Sequence, residues 1–168
     1  MLPRTLKNFN VFVDTHSWAG VAESVTIPKI TKKTEDFRGA GMIGDVSLSM
    51  GYEKLEGEVV YAGFDVKQYR QLGVCGTSDL PVRFVGIYER QDNCTSQIVE
   101  IYTRGQAIEL DPGDSKNGEK TEIKMSYNYT YYRMEVDGVV EVELDFINGT
   151  ERFGETDVAK NIKELLGL

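Results

Sequence analysis

Cysteine and histidine are nearly missing from this chain. Its 168 residues include two cysteines, Cys75 and Cys94, and one histidine, His16. Neither cysteine belongs to a metal-like cluster, and a single histidine cannot build a multi-histidine zinc site. No serine or cysteine nucleophile motif surrounds His16. It is therefore expected as a residue of the turn after strand Asn8–Asp14, not as a catalytic base. The cysteines are expected as reduced structural thiols. Cations are also scarce: 19 Lys and Arg against 27 Asp and Glu leave a net charge of −8. Such a chain offers no general basic face to nucleic acid. No apolar run reaches the ~18 residues of a membrane helix, and the first ten residues show no apolar signal region. No catalytic, cofactor or metal site is expected.

What the chain does have is a globular balance, 40% hydrophobic and 27% charged. Its length suits one domain over 1–168 that buries roughly 70% of its unfolded surface. Alternation dominates. Asn8–Asp14 reads as a strand, and Trp18–Ile27 as an extended segment ended by Pro28. Asp45–Ala62 reads as one long strand, or two merged, with a one-residue phase change that predicts a β-bulge. Pro81–Arg90 and Gln97–Arg104 form a hairpin, with Ala107–Leu110 a short strand beyond. Glu119–Val136 is the strongest strand. Its apolar residues are odd-numbered up to Tyr131 and even-numbered from Tyr132, which predicts a second bulge. Asp137-Gly138 is a type I′ turn signal leading to Val139–Ile147. Two helices are expected. Gly63–Gly73 is capped by Asp65, with Val66, Tyr69 and Leu72 packed on a sheet. Glu155–Leu166 carries an apolar stripe of Val158, Ile162, Leu165 and Leu166. The fold class is mainly β: a sandwich or barrel-like antiparallel sheet with one or two short helices.

Between Ser24 and Met50 lies a span of about 15 residues without hydrophobic periodicity, centred on residues 31–44; connections this long usually carry function or are disordered. Charges come first (Lys32, Lys33, Glu35, Asp36, Arg38), then glycines. Phe37, Met42 and Ile43 are embedded in it, and a solvated loop has no use for them. The segment is therefore expected to become ordered by docking on another subunit.

Familiar chemical motifs fail on context. Gly39–Gly44 matches GxGxxG in spacing, but it precedes a strand and not a helix. Asp111–Glu119 lacks the ligand spacing of an EF-hand. The scattered carboxylates could hide a glycosidase pair, but charges alternating along strands read as a solvated face. The tyrosines at 127, 129, 131 and 132 could stack bases or sugars, but without neighbouring cations they read as core.

Four segments, in order and at matching spacing, resemble one family: Leu6–Asp14 (LKNFNVFVD), Pro28–Met42 (PKITKKTEDFRGAGM), Leu110–Asp114 with Gly118–Lys120, and Tyr131–Gly138 (YYRMEVDG). The family is the major tail tube protein of contractile-tailed phages and R-type bacteriocins. The match is best over 1–62 and 108–140 and thin over 74–107. The resemblance implies a structural subunit of the inner tube of a contractile particle. Hexameric rings stack into a hollow conduit, each subunit adds strands to a β-barrel around the lumen, and the 31–44 loop reaches the next ring. Its implied partners are further copies of itself, a tail sheath protein, baseplate or tube-initiator and terminator proteins, a tape measure protein in the lumen, and DNA in transit without stable nucleic-acid binding. It also implies synthesis and assembly in the bacterial cytoplasm and a final place in the virion tail or bacteriocin particle. On this reading the inter-ring contact takes Lys32, Lys33, Glu35, Asp36, Phe37, Arg38, Met42 and Ile43. The candidates for the lumen wall are Ser47, Ser49, Glu53, Glu56, Glu58, Glu122, Ser126, Asn128 and Thr130. The alternatives are a monomeric β-barrel binding a small ligand or carbohydrate through its tyrosines, the tube of a type VI-like secretion system, and an enzyme built on the carboxylates.

Overall fold

Alternation settles where the long strands lie, and breaks in its phase settle where they bend. The computed structural model describes residues 1–168. In chain order the strands are β1 (Arg4–Val13), β2 (His16–Ser17), β3 (Ala22–Thr26), β4 (Lys32–Phe37), β5 (Val46–Tyr52) and β6 (Leu55–Ala62). Then come β7 (Leu80–Arg90), β8 (Ser96–Asp111), β9 (Glu122–Val136), β10 (Val139–Asp145), β11 (Thr150–Phe153) and β12 (Thr156–Asp157). Helix α1 (Val66–Arg70) runs into a 3-10 turn, Gln71–Gly73, between β6 and β7, and α2 (Lys160–Leu166) follows β12. Ten strands form one antiparallel sheet. Its path is β12-β11-β10-β9-β8-β7-β1-β2, with β6 added to β9 and β3 to β6. β4 and β5 pair only with each other.

The ten-stranded sheet folds over at the middle of β9. Residues 122–129 pair with β6, and residues 131–136 pair with β10. Thr130 drops out of both ladders, and β8 shifts register opposite it, between Arg104 and Gly105. This is the bulge that the tyrosine phase predicts: Tyr127 and Tyr129 are buried on one side of it and Tyr132 on the other. The fold line also needs a glycine. A Cβ on Gly105 would lie 1.9 Å from the Asn128 carbonyl oxygen and 2.7 Å from Tyr129 Cα. One half of the sheet then lies over the other, and the core fills the space between them. Val11, Val82 and Phe84 come from one half, and Leu55, Val59, Tyr61 and Met125 from the other. Full burial of such side chains stabilises by about 1.5–3 kcal/mol each.

Several expectations are corrected. Lys32–Phe37 is a strand and not irregular loop. Its polarity on both faces hid it, because the amphipathic pattern of the ribbon is carried by β5. Asp45–Ala62 is not continuous: the chain breaks at Glu53-Lys54, and β5 and β6 belong to different sheets. Conversely, Gln97–Arg104 and Ala107–Leu110 join into the single bent strand β8. Trp18–Ile27 is extended only over β3. β10 stops at Asp145, whose carboxylate accepts from the Ile147 and Asn148 amides and ends the strand in a turn. The last helix starts at Lys160 and not Glu155, because Thr156–Asp157 pairs with β11. β11 was not expected; it follows a four-residue turn, Phe146–Gly149, in which Gly149 has φ +70°. Cys75 and Cys94 are free and exposed, so they are not core thiols.

The largest correction concerns α1. Its expected packing face, Val66, Tyr69 and Leu72, is 40–49% exposed, while Gln68 and Gln71 are buried. Gln68 closes a capping box with Asp65 and donates to the Gly63 carbonyl. Gln71 Oε1 accepts from the Tyr127 hydroxyl, which lies 3.0 Å from that of Tyr61. These buried hydroxyls supply hydrogen-bond partners that no apolar residue could use, so the helix turns its amide face inward.

Candidate functional site

Three surfaces carry groups that the core does not use. The first is the outer face of the four-stranded half sheet β3-β6-β9-β8. Side chains alternate across a strand, so β9 buries Ile123, Met125, Tyr127 and Tyr129 and presents Glu122, Lys124, Ser126 and Asn128 on the other side. Register gathers the neighbours into rows: Glu56, Asn128 and Gln106 in one, and Thr26, Glu58, Ser126 and Glu109 in the next. All of these but Gln106, together with the segments after β3 and before β6, line an open cleft of about 560 Å³. Its carboxylates are Glu53, Glu56, Glu58 and Glu109, and its cations are Lys29 and Lys54. It contains no cysteine or histidine and no group of metal-ligating side chains. Chemically it is a hydrophilic wall with excess negative charge.

Of the expected lumen residues, Glu56, Glu58, Glu122, Ser126 and Asn128 meet on this face. Glu53 stands at its margin, its amide bonded to the Thr31 carbonyl. Thr130 is set apart, with its hydroxyl bonded to that of Ser78. Ser47 and Ser49 lie elsewhere, on the separate ribbon. The half sheet has two open edges. β3 pairs only with β6, and the end of β8 beyond Gly105 pairs only with β9. β-strand edges with unpaired amides and carbonyls are templates for another chain.

The second surface is that ribbon, the β4–β5 arm. Thr34 faces Ser49 and Asp36 faces Ser47 on one side, where Ser47 donates to Asp36 at 3.1 Å. Phe37 opposes Val46 and Glu35 opposes Leu48 on the other. Phe37, Val46, Leu48 and Met50 are 40–52% exposed, and Ile43 at the tip is fully exposed. Met42 is the exception, since its sulfur folds back to accept from the Gly39 amide. Lys32, Lys33, Glu35, Asp36 and Arg38 are all exposed, and none is ion-paired within the chain. Arg38 reaches the Ile43 carbonyl at 3.3 Å. All eight expected inter-ring residues thus sit on one projecting, amphipathic ribbon whose apolar side nothing in the chain covers.

The third surface joins the root of the arm to the C-terminal segment. Tyr52 stacks on Phe146 with centroids 6.0 Å apart and donates to Glu151. Burial, then the Glu151 carboxylate, pushes the Tyr52 phenol well above its ordinary range. Burial raises Asp145, but bonds from Asn148 and the Ile147 amide outweigh it and hold the carboxyl below its usual value. Neither α1 nor this surface was expected to present apolar groups outward. Exposure of an amphipathic helix depends on which face finds partners, and periodicity does not report that.

Comparison with known proteins matches residues 3–167 to the family model described as phage tail tube protein FII. The chain is 39% identical over 170 residues to the tail tube protein of Escherichia phage P2, covering 99% of each. It is 34% identical to the major tail tube protein of Serratia phage KSP20, over 99% of this chain and 98% of that one. Among solved structures, the tube-terminating cap of the anti-feeding prophage superposes with a TM-score of 0.62 at 10% identity, over 80% of this chain and 92% of that chain. A chain from the PVC sheath–tube complex of an extracellular contractile injection system gives 0.59 at 10% identity, over 79% and 91%. At such identities these likenesses concern the fold.

Proposed function

The chain belongs to the phage tail tube protein family and is a structural subunit of a tail tube, and from that premise we propose how it builds one. A single tail-tube domain, residues 1–168, assembles into hexameric rings. The open edge of β3 on one subunit pairs with the open end of β8 on its neighbour, and closure around the ring leaves no free edge. The hydrophilic face of Glu56, Glu58, Ser126 and Asn128 then lines the bore, with Glu122 at one margin. A wall with few cations gives DNA no counterions to release, so DNA passes without being held. The arm reaches the adjacent ring. Its apolar side, Phe37 with Val46 and Leu48, is buried there, and Lys32, Lys33, Glu35, Asp36 and Arg38 set the register by charge.

The observation that carries this reading is the pair of open edges flanking one polar-faced half sheet. Outside the tube the chain meets a sheath, and at the ends baseplate and terminator proteins; a tape measure protein occupies the bore during assembly. The subunit has no enzymatic role. It is made in the bacterial cytoplasm and works in the tail or bacteriocin particle. Negative-stain electron microscopy of the purified protein should show rings or tubes. A strictly monomeric protein at high concentration, with no tubes in particle preparations, would sink the proposal.

A further inference from the structure

Apart from the arm, several apolar groups stay uncovered, and two sets of them lie at opposite ends of β6. Beyond Ala62, α1 presents Val66 and Tyr69 and the turn after it presents Leu72, with Phe64 packed on Tyr69 at 5.6 Å. Its glutamine face is already committed to the core, so this apolar ridge cannot turn inward. Before Leu55, the root of the arm and the C-terminal segment enclose a groove of about 470 Å³ lined by Met50, Tyr52, Phe146, Ala159 and Ile162. The exposed Leu48 continues the apolar side of the arm beyond it. The eight residues of β6 separate ridge from groove by about 26 Å, at ~3.3 Å per residue.

Charge matches the two. The ridge carries Lys67 and Arg70 against the single carboxylate of its N-cap, Asp65, whereas the groove is lined by Asp145 and Glu151, with one cation, Lys163, at its rim, bonded to Thr150. A ridge and a groove that are complementary but sit at opposite ends cannot meet within one molecule. They fit a heterologous, head-to-tail contact, which propagates in one direction when copies are added. We propose that α1 of one copy seats in the groove between the arm root and α2 of a copy in the next ring. This rests on the tube reading above and adds to it a second stacking contact, distinct from the tip of the arm.

Two full-length variants test the pairing: Tyr69→Asp on the ridge and Ile162→Asp at the groove. Both positions are substantially exposed, so folding should persist. Each variant alone should stop at single rings under conditions where the wild type forms tubes, read by sedimentation and negative stain. Mixed after assembly, the two should form two-ring stacks that grow no further, because each retains the face the other lacks. A misfolded protein could not recover in this way. Tubes of wild-type length from either variant would overturn the contact and leave α1 as a face for the surrounding protein layer. Two blocked variants that do not associate on mixing would overturn the pairing of these two faces. A wild-type protein that never assembles would instead count against the tube reading itself.

Discussion

At the residue scale, the most constrained position is Gly105. The sheet folds over where β8 crosses β9, and the Asn128 carbonyl occupies the place of a side chain at 105. Gly105→Ala should cost about 3 kcal/mol or more, at or above the upper end of ordinary overpacking, as a shift in chemical denaturation midpoint. A loss below about 1 kcal/mol would mean that the fold line is not held by this contact. The buried tyrosines carry a second consequence. Burial raises the phenols of Tyr61, Tyr127, Tyr129 and Tyr132 above 10.0. Above about pH 10 the unfolded chain therefore loses protons that the folded chain keeps, and stability falls as pH rises. Their contribution is complete below that pH and is lost on climbing through the folded values. Denaturation midpoints should be flat from pH 8 to 9 and lower at pH 11, with a shallower decline in Tyr129→Phe. An equal decline in that variant would assign the effect to other groups.

At the element scale, the arm is separable and α1 is not. Lys32 pairs with Tyr52, and the Glu53 amide bonds the Thr31 carbonyl at 2.9 Å. Replacing Lys33–Gly51 with Asn-Gly thus leaves a two-residue hairpin of favoured type. The shortened chain should keep its circular dichroism and melting behaviour, form rings, and fail to stack them. Loss of the fold would show that the arm supports the core. α1 and the turn after it are held by amide bonds, so Gln71→Leu should cost about 1–3 kcal/mol by leaving the buried Tyr61–Tyr127 hydroxyl pair one acceptor short. A stability unchanged from wild type would mean that water takes over the bond.

At the scale of the whole molecule, the proposed assembly turns the acidic face into the wall of the bore, and that can be tested electrically. Glu56 and Glu58 sit on adjacent rows and face outward from the core. Tubes carrying Glu56→Lys and Glu58→Lys should still assemble, because neither side chain enters the core. They should retain short DNA at low salt and release it as salt rises, whereas wild-type tubes retain none. Equal retention by both would place these carboxylates outside the bore.

The sequence alone determined the antiparallel β class, the tyrosine strand with its bulge and the Asp137-Gly138 hairpin. Each of these is written in local alternation or turn chemistry, which a short window of residues contains. The resemblance over Leu6–Asp14 and Pro28–Met42 pointed to the family. Only the tertiary structure decided that β5 and β6 part company at Glu53-Lys54, that Ser47 and Ser49 travel with the arm while Glu56 and Glu58 face Asn128 and Ser126, and that α1 turns glutamine inward. These outcomes depend on partners far along the chain. Thr130 leaves the ladder because β8 bends opposite it, and Gln71 is buried because Tyr127, 56 residues away, offers it a hydroxyl. Local periodicity reports which residues share a face, and long-range pairing settles which way that face points.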